Sequence, residues 1–286
     1  MKFSFTLSLL AAFAFLQIQA QQPLRRFLQP ATVVNKIPYG NNAAAAHFVQ
    51  STDAKIYYEI YGQGQPVVLL HGGLFGSTIE MSDFIDSLSK KFQVIAISTR
   101  GHGKSELGNT PLTLTQRADD VIAVLNQVTK QKAMVIGFSD GGYTAYQLAA
   151  THPERVSKMV VIGAGILYPG LRKFGFEVQQ AFQLDSAYWK QQMALMPDST
   201  RLPELFEQIK NCYSKVNVGQ QLLGSIQCEV MVMAGDSDEG NSVQNVLTAA
   251  LLIPKHQIAI IPHAGHPVFN DNFAAAWACI APFLKP

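Results

Sequence analysis

The chain has 286 residues, is 48% hydrophobic and carries a formal net charge of +2. That length suits one large α/β domain or two small ones, the apolar content excludes a disordered chain, and the near-neutral charge gives no electrostatic ground for a nucleic-acid partner or an anionic membrane surface. Cys212, Cys228 and Cys279 lack any C-x-x-C spacing, which argues against a metal site or a disulfide framework and makes buried free thiols the expectation.

Residues 1–20 combine Lys2, an apolar run from Phe3 to Leu16 and a small residue, Ala20, at a plausible cleavage point. This layout is a signal peptide, too short in its apolar core to span a bilayer comfortably. It predicts an extracytoplasmic protein, periplasmic or secreted, with no stable membrane insertion after cleavage. Residues 21–46, with Pro23, Pro30, Pro38 and Gly40, are expected to form an irregular extension without activity, in which Arg25 and Arg26 belong to a solvated linker. The aromatic and β-branched run from His47 to Tyr61, turning at Ser51 to Asp53, predicts an antiparallel hairpin with Tyr57, Tyr58 and Tyr61 as packing residues.

From Pro66 onward, short continuous apolar runs alternate with longer amphipathic segments. The runs are Val67 to Leu70, Val94 to Ile97, Met134 to Ile136, Met159 to Ile162, Val230 to Met233 and Ile258 to Ile261. Strands apolar on both faces belong in a mostly parallel sheet covered by helices, an α/β fold. Ser77 with Glu80, and Thr113 with Gln116, fit capping boxes at helix starts. About sixty residues separate the strand ending near Gly163 from that starting near Glu229, far beyond the ~2 to 6 residues of an ordinary connection. The interval carries Phe174, Phe176, Phe182, Tyr188, Trp189, Leu205, Phe206 and Ile209 at helical spacings and predicts an inserted helical cap, about 167–226, over the C-terminal strand ends. Most of its aromatics are expected to pack it onto the main domain.

The chemistry centres on Gly137-Phe138-Ser139-Asp140-Gly141, placed between an apolar strand and a helical segment. A Gly-x-Ser-x-Gly turn there lifts the serine hydroxyl out of the sheet. A serine needs a base to take its proton and an acid to orient that base. Gly235-Asp236-Ser237-Asp238 and His263-Ala264-Gly265-His266 follow the last two strands and supply candidates for both. Upstream, His71-Gly72-Gly73-Leu74 offers backbone N–H groups: that of Gly73, with Leu74 as the alternative, could join the N–H of Asp140 in holding an oxyanion, while His71 braces the loop.

These pieces, with the Arg100 to Ser105 stretch (RGHGKS) and the His152 to Val156 stretch (HPERV), resemble the α/β-hydrolase fold serine hydrolases with a helical cap, over about 47–286. The resemblance implies Ser139 as nucleophile, His266 as base and Asp238, which falls on the family's Gly-x-x-Asp pattern, as the orienting acid. Asp236 stays open as a rival acid and His263 as a rival base. Two departures stand out: Ser98-Thr99 occupies a place often held by aspartate, which predicts a more loosely anchored loop, and Glu239 crowds a third carboxylate beside Asp238. Gly103-Lys104-Ser105 imitates a phosphate-binding loop but Ser98 stands where its first glycine belongs, and Gly163-Ala164-Gly165 lacks the third glycine of a dinucleotide fingerprint, where Tyr168 stands. Neither a cofactor nor a metal is expected, and the partner is a small-molecule substrate. The expected activity is a carboxylesterase-like hydrolysis; lactonase, C–C bond hydrolase, peptidase and perhydrolase chemistry share the machinery, and a non-catalytic binding protein of the same fold is the rival class.

Overall fold

A computed structural model describes residues 24–29, 36–172, 175 and 177–285. The expected hairpin is present as β1 (Ala46–Ser51) and β2 (Ala54–Tyr61), paired antiparallel from Ala46 opposite Glu59 to Ser51 opposite Ala54. The apolar runs become β3 (Gln65–Leu70), β4 (Phe92–Ile97), β5 (Ala133–Phe138), β6 (Val156–Ile162), β7 (Glu229–Gly235) and β8 (His256–Ile261), which pair in parallel. One sheet results, ordered β1-β2-β4-β3-β5-β6-β7-β8, with β2 antiparallel to β4.

Helices α1 (Ser82–Leu88), α2 (Leu114–Val128) and α3 (Asp140–Thr151) connect the first parallel strands. Between β6 and β7 come α4 (Val178–Leu184), α5 (Ser186–Leu195), α6 (Leu202–Tyr213) and the single turn α7 (Gln220–Leu223), while α8 (Val243–Leu252) and α9 (Val268–Phe283) follow β7 and β8. Alternation along the strands builds two cores. Val68 and Leu70 join Val121 and Val124 of α2, Leu148 of α3 and Ala249 of α8, whereas Val67 and Leu69 join Phe84 and Leu88 of α1 and Ile280 of α9. Each large aliphatic or aromatic side chain so buried contributes about 1.5 to 3 kcal/mol of transfer free energy. The α4 to α7 interval is pinched at its base by an antiparallel bridge between Leu167 and Val218, and its Tyr188, Trp189, Leu205, Phe206 and Ile209 are buried in the first core.

Several expectations need correction. Strand β8 is an edge strand covered on one face: Ala259 and Ile261 are buried, but Ile258 and Ile260 stand 39% and 38% exposed, so the apolar run is not covered on both sides. No capping box forms at Ser77, which precedes a 3-10 turn without a side-chain cap, because Glu80 turns instead to the Gly72 N–H. At Thr113 half of the box is present: its hydroxyl accepts from the Gln116 N–H (3.0 Å), but the Gln116 side chain reaches Thr52. Nor is the described part of the N-terminal extension a solvated linker. Leu24 and Tyr39 are buried, Arg25 pairs with Asp185 (3.1 Å) and Arg26 with Asp83 (2.7 Å). Glu59, wholly buried on β2, explains the ordered turn at Gly40 to Asn42 ahead of β1: its carboxylate accepts from the N–H groups of Gly40 and Asn42 (both 2.8 Å) and from the hydroxyls of Tyr57 and Tyr61. The three thiols are free, with Cys212 buried and Cys228 and Cys279 half-buried. Residues 1–20, and Phe174 and Phe176, lie outside the described residues; among those described, no helix is long and apolar enough to cross a membrane.

Candidate active site

Ser139 stands between β5 and α3 with φ +50° and ψ −111°, a backbone conformation that side-chain-bearing residues rarely adopt. The turn is tight enough that a Cβ on Gly137 would lie 2.3 Å from the Gly141 carbonyl oxygen, and one on Gly141 would lie 2.3 Å from that of Leu70. Only glycine fits at both positions, and the strain at Ser139 costs of the order of 1 to 3 kcal/mol. Strand order reverses beside this elbow: β3 has β4 on one side and β5 on the other, so the loops leaving β3 and β5 diverge around a crevice. Leu70 pairs with Gly137, which sets the His71 to Leu74 loop against the elbow. A Cβ on Gly73 would meet that of Asp140 at 2.9 Å, and the Gly76 N–H closes the loop on the Gly73 carbonyl at 3.0 Å.

His266, after β8, reaches over the end of β6 to bring Nε2 2.8 Å from Ser139 Oγ, while its Nδ1 lies 2.8 Å from Asp238 Oδ2. The reach depends on Gly163, at φ +63°, where a Cβ would stand 3.0 Å from the imidazole Cε1. A carboxylate offers only acceptors, so Nδ1 carries the hydrogen and Nε2 is left to accept from the serine hydroxyl. The other oxygen of Asp238 accepts the Asn241 N–H at 2.7 Å, and the side chain is sealed from solvent. Asp236 is exposed and serves the turn instead: the His263 and Ala264 N–H groups and the Ser237 hydroxyl hold its carboxyl below the usual range. His263 is exposed at φ +56° and shapes the turn, and Glu239 is exposed on the lining of the cavity above Ser139, so the structure gathers Ser139, His266 and Asp238 and leaves both rivals and the third carboxylate out of that chain of hydrogen bonds.

The loop carrying Ser98-Thr99 is not loosened. Ser98 Oγ meets Thr78 Oγ1 at 2.9 Å and its carbonyl accepts the Ser105 hydroxyl at 2.6 Å, while the Thr99 N–H donates to His71 Nε2 at 3.0 Å. Arg100 completes the anchor through Asp120 and Asp53, both at 2.7 Å. His71 braces its own loop, with Nδ1 2.6 Å from the Gly72 carbonyl, and ties it to Thr99; burial, with His102 alongside, pushes its imidazole down to about 3. His102 is buried as well, and burial together with Arg117 pushes it down to about 4.

Sequence motifs gave no sign of the network beneath the elbow. The Asp140 carboxylate is fully buried, ion-paired with the equally buried Arg117 of α2 and bonded by the Tyr213 hydroxyl of α6. Burial opposes its charge, yet Arg117 and Tyr213 hold it below the usual carboxylate range. Above Ser139 opens a cavity of about 650 Å³. Phe206, Ile209 and Tyr213 of α6 and the loop residues Gly73 and Leu74 line it, and so do Phe27, Leu28 and Gln29 of the extension and the carboxyl of Glu80. Glu80 accepts the Gly72 N–H at 3.0 Å; burial, opposed by that bond and by Arg26, pushes it up to about 7. Across the cavity Tyr143 donates to Asn241 at 2.8 Å and Arg172 bonds the Tyr143 hydroxyl and the Gly240 carbonyl. A glutamate at helical spacing after a serine suggested a cap, and nothing local distinguishes that from a carboxyl facing a cavity. Among the described residues, no group of three or more His, Cys, Asp or Glu side chains is placed to hold a metal ion.

Comparison with known proteins agrees with this fold. The model of the α/β hydrolase fold family matches residues 65–195. A Bacillus subtilis protein named as a 2-succinyl-6-hydroxy-2,4-cyclohexadiene-1-carboxylate synthase is 27% identical over 256 residues, covering 77% of this chain and 90% of its own length. A Caulobacter vibrioides protein named as a carbamate hydrolase is 36% identical over 111 residues, 37% of this chain and 41% of its own. In solved structures, a serine hydrolase involved in carbazole degradation superposes with a TM-score of 0.71 at 22% identity, covering 84% of this chain and 98% of that one.

Proposed function

The chain is an α/β-hydrolase fold protein, and on that premise we propose that it is a serine hydrolase that cleaves an ester-type acyl bond of a small organic substrate. The observation that carries this reading is the unbroken chain of hydrogen bonds from Asp238 through His266 to Ser139, 2.8 Å at each link, at the foot of a cavity large enough for a small-molecule ester.

In this mechanism His266 Nε2 takes the proton of Ser139 as Oγ attacks the acyl carbon, and Asp238 steadies the imidazolium that forms. Negative charge gathers on the carbonyl oxygen, where the N–H groups of Gly73 and Asp140 receive it, the latter at the positive end of α3. His266 then protonates the leaving alcohol. Water, deprotonated by the same imidazole, attacks the acyl-enzyme, and the acid product leaves as Ser139 recovers its proton. The α4 to α7 insertion acts as a cap, since its Phe206, Ile209 and Tyr213 form one wall of the cavity. The signal-like residues 1–20 complete the proposal with an extracytoplasmic site of action.

Incubating the purified protein with a fluorophosphonate probe and with p-nitrophenyl esters of graded chain length tests the reading. Because one relative is named for carbamate hydrolysis, p-nitrophenyl carbamates belong in the same panel. Labelling and turnover should both vanish in Ser139→Ala. Wild-type protein that neither reacts with the probe nor turns over any member of the panel would refute the proposal.

A further inference from the structure

We propose that the N-terminal segment 24–29 forms the wall that limits how long a hydrocarbon chain the cavity accepts, with Phe27 as the specificity-determining residue. The inference rests on Ser139 being the nucleophile of this cavity and adds the size of the substrate's apolar group.

The segment is fastened on both sides of the opening. Toward α1 and α9, Arg26 donates to Ser82 Oγ (2.6 Å), Asp83 (2.7 Å) and the Asn270 side chain (2.9 Å). Toward α5, the Arg25 N–H donates to Gln191 (3.0 Å) and the Leu28 N–H to Asp185 (3.0 Å), the carboxylate that also caps α5 through the Tyr188 N–H. Between these anchors Phe27 stacks on Phe75 with ring centres 4.4 Å apart and planes 7° from parallel, and it meets the edge of Tyr188 at 5.3 Å. Tyr188 in turn donates to the Phe75 carbonyl at 2.6 Å, so the stack is tied to the loop that carries Gly73. Phe27 and Leu28 thus present apolar surface to the cavity, whereas Tyr143, Arg172 and Asn241 line it with polar groups. A hydrocarbon chain gains by lying against the strap and is stopped where Phe27 begins, because a desolvated aromatic wall accepts methylenes but not their overlap with a ring.

Second-order labelling rates of Ser139 by ethyl- and dodecyl-bearing fluorophosphonates read this limit directly. Phe27→Ala should raise the long-to-short rate ratio about tenfold, the scale at which pockets discriminate one or two methylenes. Phe27→Trp should lower it, and Arg26→Ala, which releases an anchor, should shift it in the same direction as Phe27→Ala. Thermal melts confirm that each variant is folded; if the alanine variants fail to fold, the tryptophan variant alone decides. Ratios within about twofold of wild type in folded, labelling-competent variants overturn the inference. A wild-type protein that labels with neither probe removes instead the nucleophile on which the inference rests, and both fall together.

Discussion

Replacing Arg117 with methionine would strip the only cation described beside the buried Asp140 carboxylate while keeping most of the aliphatic volume. Both side chains are almost wholly enclosed, at 1% exposure each, so the orphaned charge cannot recover its hydration in water. Removing one partner of such a pair typically costs about 3 to 5 kcal/mol. At roughly 2 to 4 °C per kcal/mol for a large domain, the melting temperature should fall by about 6 to 20 °C. The companion Asp140→Asn leaves Arg117 unpaired and should cost a similar amount, whereas the double variant should recover much of the loss, giving a coupling energy of about 2 kcal/mol or more in a double-mutant cycle. The pH dependence gives a second check. Asp140 is held below its ordinary value in the folded chain, so the pair stabilises above that ordinary value and its contribution is lost as pH falls through the folded one. The gap between wild type and Arg117→Met should therefore narrow only as pH falls below the ordinary carboxylate value of 3.8, followed by circular dichroism melts from pH 7 down to about pH 2. A single variant that melts within about 2 °C of wild type at pH 7 would show that the buried pair does not stabilise the elbow as argued.

Asp238→Asn should lower turnover by orders of magnitude, because an amide can present its N–H to Nδ1 and fix the wrong imidazole tautomer, whereas Asp236→Asn should change turnover little; steady-state kinetics on a chromogenic ester separates them. Glu80 is raised to about 7 in the folded chain, so its protonated form stabilises at low pH and that stability is lost as pH rises toward and through 7. Glu80→Gln should remove this component and flatten the melting temperature between pH 5 and pH 8; slopes identical to wild type would contradict the assignment.

The sheet was legible because its central strands are buried on both faces, which leaves β3, β5, β6 and β7 as near-continuous apolar runs. Strand β8 carries the same composition yet ends the sheet, and an edge is a property of pairing that no run of isoleucines announces. Ser139 and His266 were legible because glycines mark the turns that hold them. Asp236 and Asp238 were not separable by type, since the choice depends on which carboxylate faces inward after the turn. Arg117, Asp140 and Tyr213 meet from three elements remote in sequence, and the strap's Phe27 finds Phe75 across 48 positions of chain, so neither arrangement leaves a local pattern. The Ser98-Thr99 departure was legible as a difference, but its consequence was misjudged because hydroxyls and a histidine ring replace the missing carboxylate as anchors.

The positive φ of Ser139 has a consequence for selection. Glycine adopts that conformation without steric penalty, so Ser139→Gly should relieve part of the elbow's strain and melt no lower than wild type, even though it leaves nothing to acylate. A library of this gene sorted for heat resistance alone would accumulate substitutions that erase the reaction, and the proteins emerging as the hardiest would be inert. Durability and reactivity compete for this one position, and any engineering of the chain has to score both at once.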